Sequence, residues 1–347
     1  MFGSRFLKSG TRAIAALLAV GTLLASGQAS AQTTWRFSNW VPPTHPLTVQ
    51  VFNVWGKMVE EATKGRVKIQ FVSALGNPPS HFDLVRDGVA DVAMSVNSYT
   101  SNRFVLNEGV ELPFLAPDGI SSCIAYYRTY KKFFEASDEF KGVRLAGVWT
   151  HGPAHIFTRN KDLKGVADLA QLKMRVPGGI VNEMAKTLGT VPVFAPASQA
   201  YDVISKGVAD GIFFPTESVY NFKIGPAIKV AVEIPNGLYR TAHYLIINQA
   251  KWDALSDEDK KAIDSVSGEK LAELAGKMWD SADADGKANL IKSGTVFTVA
   301  SDAMMKELRA KLDPMRAEWI AKAKTKNVDG AAALAFYEAQ VKELSKK

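Results

Sequence analysis

The sequence predicts an α/β protein built as two similar lobes around a cleft. The tetrapeptide Gly-Val-Ala-Asp occurs twice, as Gly88-Val89-Ala90-Asp91 and Gly207-Val208-Ala209-Asp210, 119 positions apart. Each copy is preceded by a short helix-like run and followed by an apolar strand, Val92-Ala93-Met94 or Gly211-Ile212-Phe213-Phe214. Upstream of each helix lies a further apolar strand and a Pro-bearing loop, so a strand–helix–strand unit is present twice. A duplicated unit of this kind implies two lobes, and ligands bind in the clefts between lobes.

The first lobe reads in order as follows. Trp35-Arg36-Phe37-Ser38 is a strand, and the three prolines between Asn39 and Pro46 exclude regular structure. Residues 47–63 are amphipathic at helical spacing, with Val51, Val54, Trp55, Met58 and Val59 on one side, and Gly65 closes the helix. A strand at 68–72, a helix at 80–87 and a strand at 91–96 complete β-α-β-α-β, which favours a mainly parallel sheet flanked by helices. The second lobe repeats the order: strand 173–176, turn Pro177-Gly178-Gly179, helix 180–188, strand 191–194, helix 198–206, strand 210–214. Between them, residues 143–149 form a strand broken by His151-Gly152-Pro153, a candidate hinge. The chain returns near 239–247. The remainder is helical. Ser256 caps an acidic first turn, a long pattern runs to about Lys292 and braces both lobes, and further helices fit 302–325 and 329–344.

The 347 residues suffice for two domains, expected as 32–152 plus about 242–286 and 153–241 plus about 287–347. Residues 1–31 read as a cleavable secretory signal peptide. Arg5, Lys8 and Arg12 form a positive region, residues 13–25 are apolar, and Ala29-Ser30-Ala31 fits a cleavage site. The formal charge of +7, less those three cations, is +4 for the mature chain. Its Lys and Arg are scattered, which argues against nucleic acid. Cys123 is the only cysteine, so an internal disulfide is excluded, and the thiol reads as a small buried hydrophobe. No later stretch is long and apolar enough to span a bilayer.

Ligands of open parallel sheets bind beyond the carboxyl ends of the strands. Those ends carry Trp40, Asn97, Tyr99, Arg175 and the pair Phe213-Phe214. Arg175 stands between Met174 and Val176, two residues before a Pro-Gly-Gly turn that opens a helix. A cation inside an apolar strand needs an anionic partner or a wet cavity. Its planar fork suits a carboxylate, and the helix N-terminus beside it adds free N–H groups. The competing reading is an edge-strand Arg paired with a local Asp or Glu. His155, past the hinge, either donates to a bound anion or is structural. Tyr126-Tyr127, Phe133-Phe134, Trp252, Trp279 and Trp319 read as packing residues. No metal-ligand spacing, nucleophile elbow or phosphate loop is present, so neither a catalytic residue, a metal nor a cofactor is expected.

The chain resembles the solute-binding proteins of tripartite ATP-independent periplasmic (TRAP) transporters, the C4-dicarboxylate-binding-protein-like (DctP-type) family. The resemblance covers about residues 35–340. It is carried by Asn39-Trp40-Val41-Pro42-Pro43-Thr44-His45-Pro46, the segment from Ala74-Leu75-Gly76 to Asp91, Glu111-Leu112-Pro113-Phe114, Leu172-Lys173-Met174-Arg175-Val176-Pro177, Ala209-Asp210-Gly211, and residues 248–255. It implies a periplasmic-binding-protein-like clamp that closes on a small organic acid and presents it to the TRAP membrane subunits. The family's ligand-binding arginine falls on Arg175, and its pocket positions fall near Trp40, Asn97, Tyr99, His155 and Phe214.

Two departures narrow the ligand. Where sialic-acid-binding members carry a second arginine this chain has Ala154, and where many members carry Glu-Asn or a metal-binding Glu-Trp it has Phe213-Phe214. The expectation is a monocarboxylate with an apolar or aromatic body, stacked on Phe213, Phe214, Trp40 and Tyr99. Glu217 either bonds a ligand hydroxyl or is an exposed loop acid. The competing functions are an exported sensing module for an organic acid and a secreted hydrolase.

Overall fold

The computed structural model of the protein describes residues 32–100 and 102–346. The signal peptide expected at 1–31 lies outside the described residues. From residue 34 onward the chain forms one compact unit built on two sheets.

The first sheet has the order β2-β1-β3-β10-β4: β1 Thr33–Asn39, β2 Val67–Ser73, β3 Val92–Val96, β4 Val143–Thr150 and β10 Ala242–Asn248. β1 and β3 pair in parallel, as the β-α-β-α-β pattern requires, whereas β10 runs antiparallel to both β3 and β4. Between β1 and β3 lie a helix whose first turn, Leu47–Phe52, is wound as a π-helix before α1 (Asn53–Ala62), and the short α2 (His81–Arg86). Val51, Trp55 and Val59 are buried as their spacing predicts, but Val54 is exposed. The apolar stripe is displaced from the one the sequence suggests: Phe52 and Gly56 are buried, and Val54 is turned to solvent.

The second sheet has the order β11-β9-β5-β8-β6-β7: β5 Ala154–Thr158, β6 Lys173–Val176, β7 Val191–Phe194, β8 Gly211–Pro215, β9 Val230–Glu233 and β11 Val296–Val299. β6 pairs in parallel with β7 and β8, the counterpart of the first lobe. Helices α4 (Gly179–Thr187), α5 (Ala200–Ser205) and α6 (Thr216–Asn221) connect or follow these strands. Sequence periodicity missed β5, β9 and β11. β5 begins immediately after the Pro153 break and runs antiparallel to β8 and β9, so both sheets are mixed.

The chain crosses between sheets through His151-Gly152-Pro153 and returns before β10. After β10 come the short α7 (Gln249–Asp253) and α8 (Asp257–Ser265), and beside the crossing runs α9 (Glu269–Lys292), which touches both halves. Its Asp280 accepts the Gly119 and Ile120 amides at 2.6 and 3.1 Å, at the start of α3 (Gly119–Thr129), and its Asp283 accepts the Glu217 amide at 2.7 Å, at the start of α6. One helix thus satisfies orphan N–H groups at a helix start on each side of the crossing. α10 (Asp302–Leu312), α11 (Pro314–Thr325) and α12 (Gly330–Leu344) complete the chain. Trp319 packs on Phe134 and donates to the Val105 carbonyl, and Tyr337 bonds Ser122 on α3.

Candidate functional site

Strand alternation decides which side chains reach the gap between the sheets. On β6, Met174 and Val176 enter the core that also holds Phe213, so Arg175 emerges on the opposite face. There it is level with Ile212, two residues before Phe214 on β8. Phe214 therefore shares a face with Arg175, and Phe213 does not. On β10, Leu245 and Ile247 mark the face that carries His243, and His243 stacks on Trp149 of β4 with rings 6.0 Å apart and 10° from parallel.

These faces meet in a small hollow lined on one side by Arg175, Pro177, Ala197, Phe214, Ser218 and Phe222. Trp40, His45, Tyr99, His151, His243 and Trp279 line it opposite. Its volume is about 30 Å³, room for about one water. Larger hollows of about 520 and 530 Å³ lie elsewhere on the surface. Neither includes Arg175, and neither holds a buried cation.

Arg175 is fully buried. Nε and one terminal nitrogen, Nη2, donate to the Ala195 carbonyl at 2.8 and 2.6 Å, while Nη1 has no partner. The guanidinium lies over the Phe214 ring, 4.6 Å from its centroid. Burial lowers its pKa from the ordinary arginine value, opposed by the Tyr99 and Tyr239 hydroxyls. Among the described residues no carboxylate pairs with it, so the edge-strand reading fails. An unmatched buried charge-bearing donor is costly, and the group that fits it is a carboxylate oxygen. The Tyr99 hydroxyl accepts the Ala197 amide at 2.8 Å, a bond between the two halves that places the phenol beside Arg175.

Of the other residues singled out by sequence, Trp40 lines the hollow and packs against the cores of both halves. Asn97 opens a turn and is buried toward Tyr126, outside the hollow. His155 sits opposite Phe214 in the β5–β8 pairing, but its Nδ1 accepts the Ile234 amide at 3.0 Å and its ring does not line the hollow. Burial pushes that imidazole down to about 3, so it is neutral. Phe213 sits in the core, and its carbonyl accepts the Tyr239 hydroxyl at 2.8 Å. The helix N-terminus at Gly178-Gly179 packs on Ser98 and belongs to a separate outer hollow, so Arg175 and that helix do not form one receptor. Glu217 is fully buried and not an exposed loop acid: its carboxylate lies 3.0 Å from His45 Nε2 and accepts from Ser218 and Asn221.

Sequence reasoning missed the imidazoles of His45, His151 and His243 as cavity groups, and Trp279 as more than a packing anchor. The signal that exposed Arg175, one polar side chain in an apolar strand, is repeated at His243 in Ala242-His243-Tyr244-Leu245. Burial pushes the His243 imidazole down to about 4 and that of His151 well below its ordinary value.

The family model for bacterial extracellular solute-binding protein family 7 matches residues 37–323. A TRAP periplasmic solute-binding protein from Bordetella bronchiseptica, solved with bound (R)- and (S)-mandelate, is 40% identical with a TM-score of 0.88, covering 90% of this chain and 99% of that one. A TRAP solute-binding protein from Rhodoferax ferrireducens in complex with benzoate is 27% identical with a TM-score of 0.85, covering 91% and 99%. The outer membrane transporter protein TsaT of Comamonas testosteroni is 29% identical over 328 residues, 94% of this chain and 96% of its own. Among the described residues no helix is long and apolar enough to cross a membrane. Fold and family match agree: the chain belongs to bacterial extracellular solute-binding protein family 7, the DctP-type solute-binding proteins of TRAP transporters.

Proposed function

We propose that this protein is a periplasmic receptor, exported by a cleaved signal peptide, that captures a monocarboxylate with an aromatic body and delivers it to TRAP membrane subunits. It does so without catalysis. The observation that carries the reading is the unpaired Nη1 of fully buried Arg175, facing a hollow walled by Trp40, Tyr99 and Phe214. The carboxylate accepts from Arg175 Nη1 and the Tyr99 hydroxyl, and the ring lies among the aromatics. Asn97, His155 and Phe213 do not line the hollow and are assigned no contact with the acid. The mandelate- and benzoate-bound relatives support an aromatic body.

The lobes follow the two sheets, residues 32–152 with about 242–286 and 153–241 with about 287–347, the last helices also packing back on the first lobe. The hollow of about 30 Å³ is far below the roughly 300–1,000 Å³ of ordinary ligand pockets. The acid therefore enters when the lobes part about His151-Gly152-Pro153, and by pairing the buried guanidinium it shifts the population toward closure.

Isothermal titration with benzoate and mandelate tests this. The wild type binds at least one with Kd near micromolar, about 8 kcal/mol. Arg175→Ala weakens it by about 1.5–3 kcal/mol or more with an unchanged circular dichroism spectrum. Equal affinity in that variant removes the anchor role.

A further inference from the structure

The cavity contains three imidazoles, and their hydrogen bonds differ in what they leave over. His151 is saturated: Nε2 accepts the Thr241 amide at 2.9 Å and Nδ1 meets the Gly152 carbonyl at 2.5 Å. His45 offers no acceptor either: its Nδ1 accepts the Leu47 amide at 3.2 Å, which puts the proton on Nε2, and that N–H lies 3.0 Å from the Glu217 carboxylate without making a hydrogen bond to it. In His243, Nδ1 lies 3.0 Å from the Thr241 carbonyl, an acceptor only, so Nδ1 carries the proton. Nε2 is then a bare lone pair with no partner among the described residues, on a ring that lines the cavity. Two indole rings lie beside it, Trp149 stacked at 6.0 Å and Trp279 tilted at 6.1 Å, but the Nε1–H of each is without a hydrogen-bond partner, so neither occupies His243 Nε2.

We infer that His243 Nε2 is the acceptor for a hydroxyl group on the bound acid, so that the site selects hydroxy-substituted aromatic monocarboxylates over their unsubstituted counterparts. This rests on the reading that Arg175 holds the carboxylate. Two groups of the cavity lining are then complementary in kind: Arg175 offers an unspent donor and His243 an unspent acceptor. A hydroxyl is matched there because it donates, while a second carboxylate is not, because two acceptors would face each other. The neutral state of the ring, pushed down to about 4 by burial, agrees with an acceptor role at neutral pH.

The test is titration calorimetry at pH 7.5 with two matched pairs, 3-hydroxybenzoate against benzoate and mandelate against phenylacetate. In the wild type the hydroxy member of at least one pair binds about three- to tenfold tighter, as one buried hydrogen bond warrants. His243→Phe keeps a ring on Trp149 and removes the acceptor. It brings that ratio to about one while affinity for the unsubstituted acid changes less than about threefold. His243→Gln, whose amide oxygen reaches the place of Nε2, restores part of the preference. If the Phe variant misfolds, ¹⁵N NMR of the wild-type imidazole decides: the unprotonated His243 nitrogen moves upfield with the hydroxy acid and stays with its counterpart. Equal affinities within both pairs, a wild-type ratio in His243→Phe, or equal nitrogen shifts overturn the assignment. Unchanged affinity for all four acids in Arg175→Ala overturns the anchor reading instead, and a wild type that binds none of the four overturns both.

Discussion

Asp283 on α9 lies against Gly152 in the strand crossing: a Cβ added at residue 152 would stand 2.0 Å from the Asp283 carboxylate oxygen Oδ2. The other oxygen, Oδ1, accepts the Glu217 amide at 2.7 Å, so the carboxylate cannot turn aside without uncapping α6. Burial holds this carboxyl well above the usual range. The helix that touches both halves is thereby in contact with the segment proposed as the hinge.

Gly152→Ala is expected to destabilise the protein by about 1–3 kcal/mol, the range for overpacking. Asp283→Ala alone loses the α6 cap, about 0.5–2 kcal/mol. Because both act through one contact, the double variant is less destabilised than their sum. Urea unfolding of the four proteins measures the cycle, and strict additivity would show that the two residues are independent.

The adjacent aromatics on β8 are expected to separate by function. Phe214→Leu removes the ring beneath the Arg175 guanidinium, 4.6 Å away. It weakens acid binding by about 0.5–2 kcal/mol with little change in melting temperature. Phe213→Leu opens the core instead, costing about 1–2 kcal/mol of stability and leaving Kd nearly unchanged. Calorimetry and thermal melts on both variants check this, and a larger affinity loss in Phe213→Leu contradicts the face assignment.

Glu111 gives a pH signature. It is fully buried, accepts from Ser98 Oγ at 2.6 Å and the Ala242 amide at 2.7 Å, and burial raises its pKa to about 8. The folded state therefore holds a proton that the unfolded chain has released above its ordinary value of 4.5. Stability from this group is full below that value and falls as pH rises toward 8, by on the order of a few kcal/mol. Glu111→Gln mimics the protonated form, with its oxygen toward Ala242 and its amide toward Ser98. Urea melts from pH 5 to 8.5 are expected to show a flatter profile for the variant, and parallel profiles would place no titration at Glu111.

Cys123 is buried, donates to the Thr150 carbonyl at 3.1 Å, and has its thiol pushed up to about 12 by burial. A thiolate is the reactive form. Ellman's reagent is expected to label no thiol in native buffer within minutes and one per chain in guanidinium chloride. Rapid native labelling would mean that α3 opens readily.

The sequence by itself determined the strand–helix alternation, the parallel pairings of each half, the crossing at Gly152-Pro153 and the importance of Arg175. Periodicity and punctuation encode the first three locally, and a cation in an apolar strand is conspicuous without any coordinates. Strands β5, β9 and β11 were not legible, because they lie outside the strand–helix–strand repeat and are defined by partners distant in the chain. Nor was the inward turn of Glu217, whose carboxylate meets His45 from 172 positions away as well as its neighbours Ser218 and Asn221. Tertiary structure alone decided which of Phe213 and Phe214 meets the cavity, and which of the buried imidazoles keeps a free acceptor nitrogen. Those outcomes depend on which face of a strand another element covers, and on hydrogen bonds between segments that sequence proximity does not bring together.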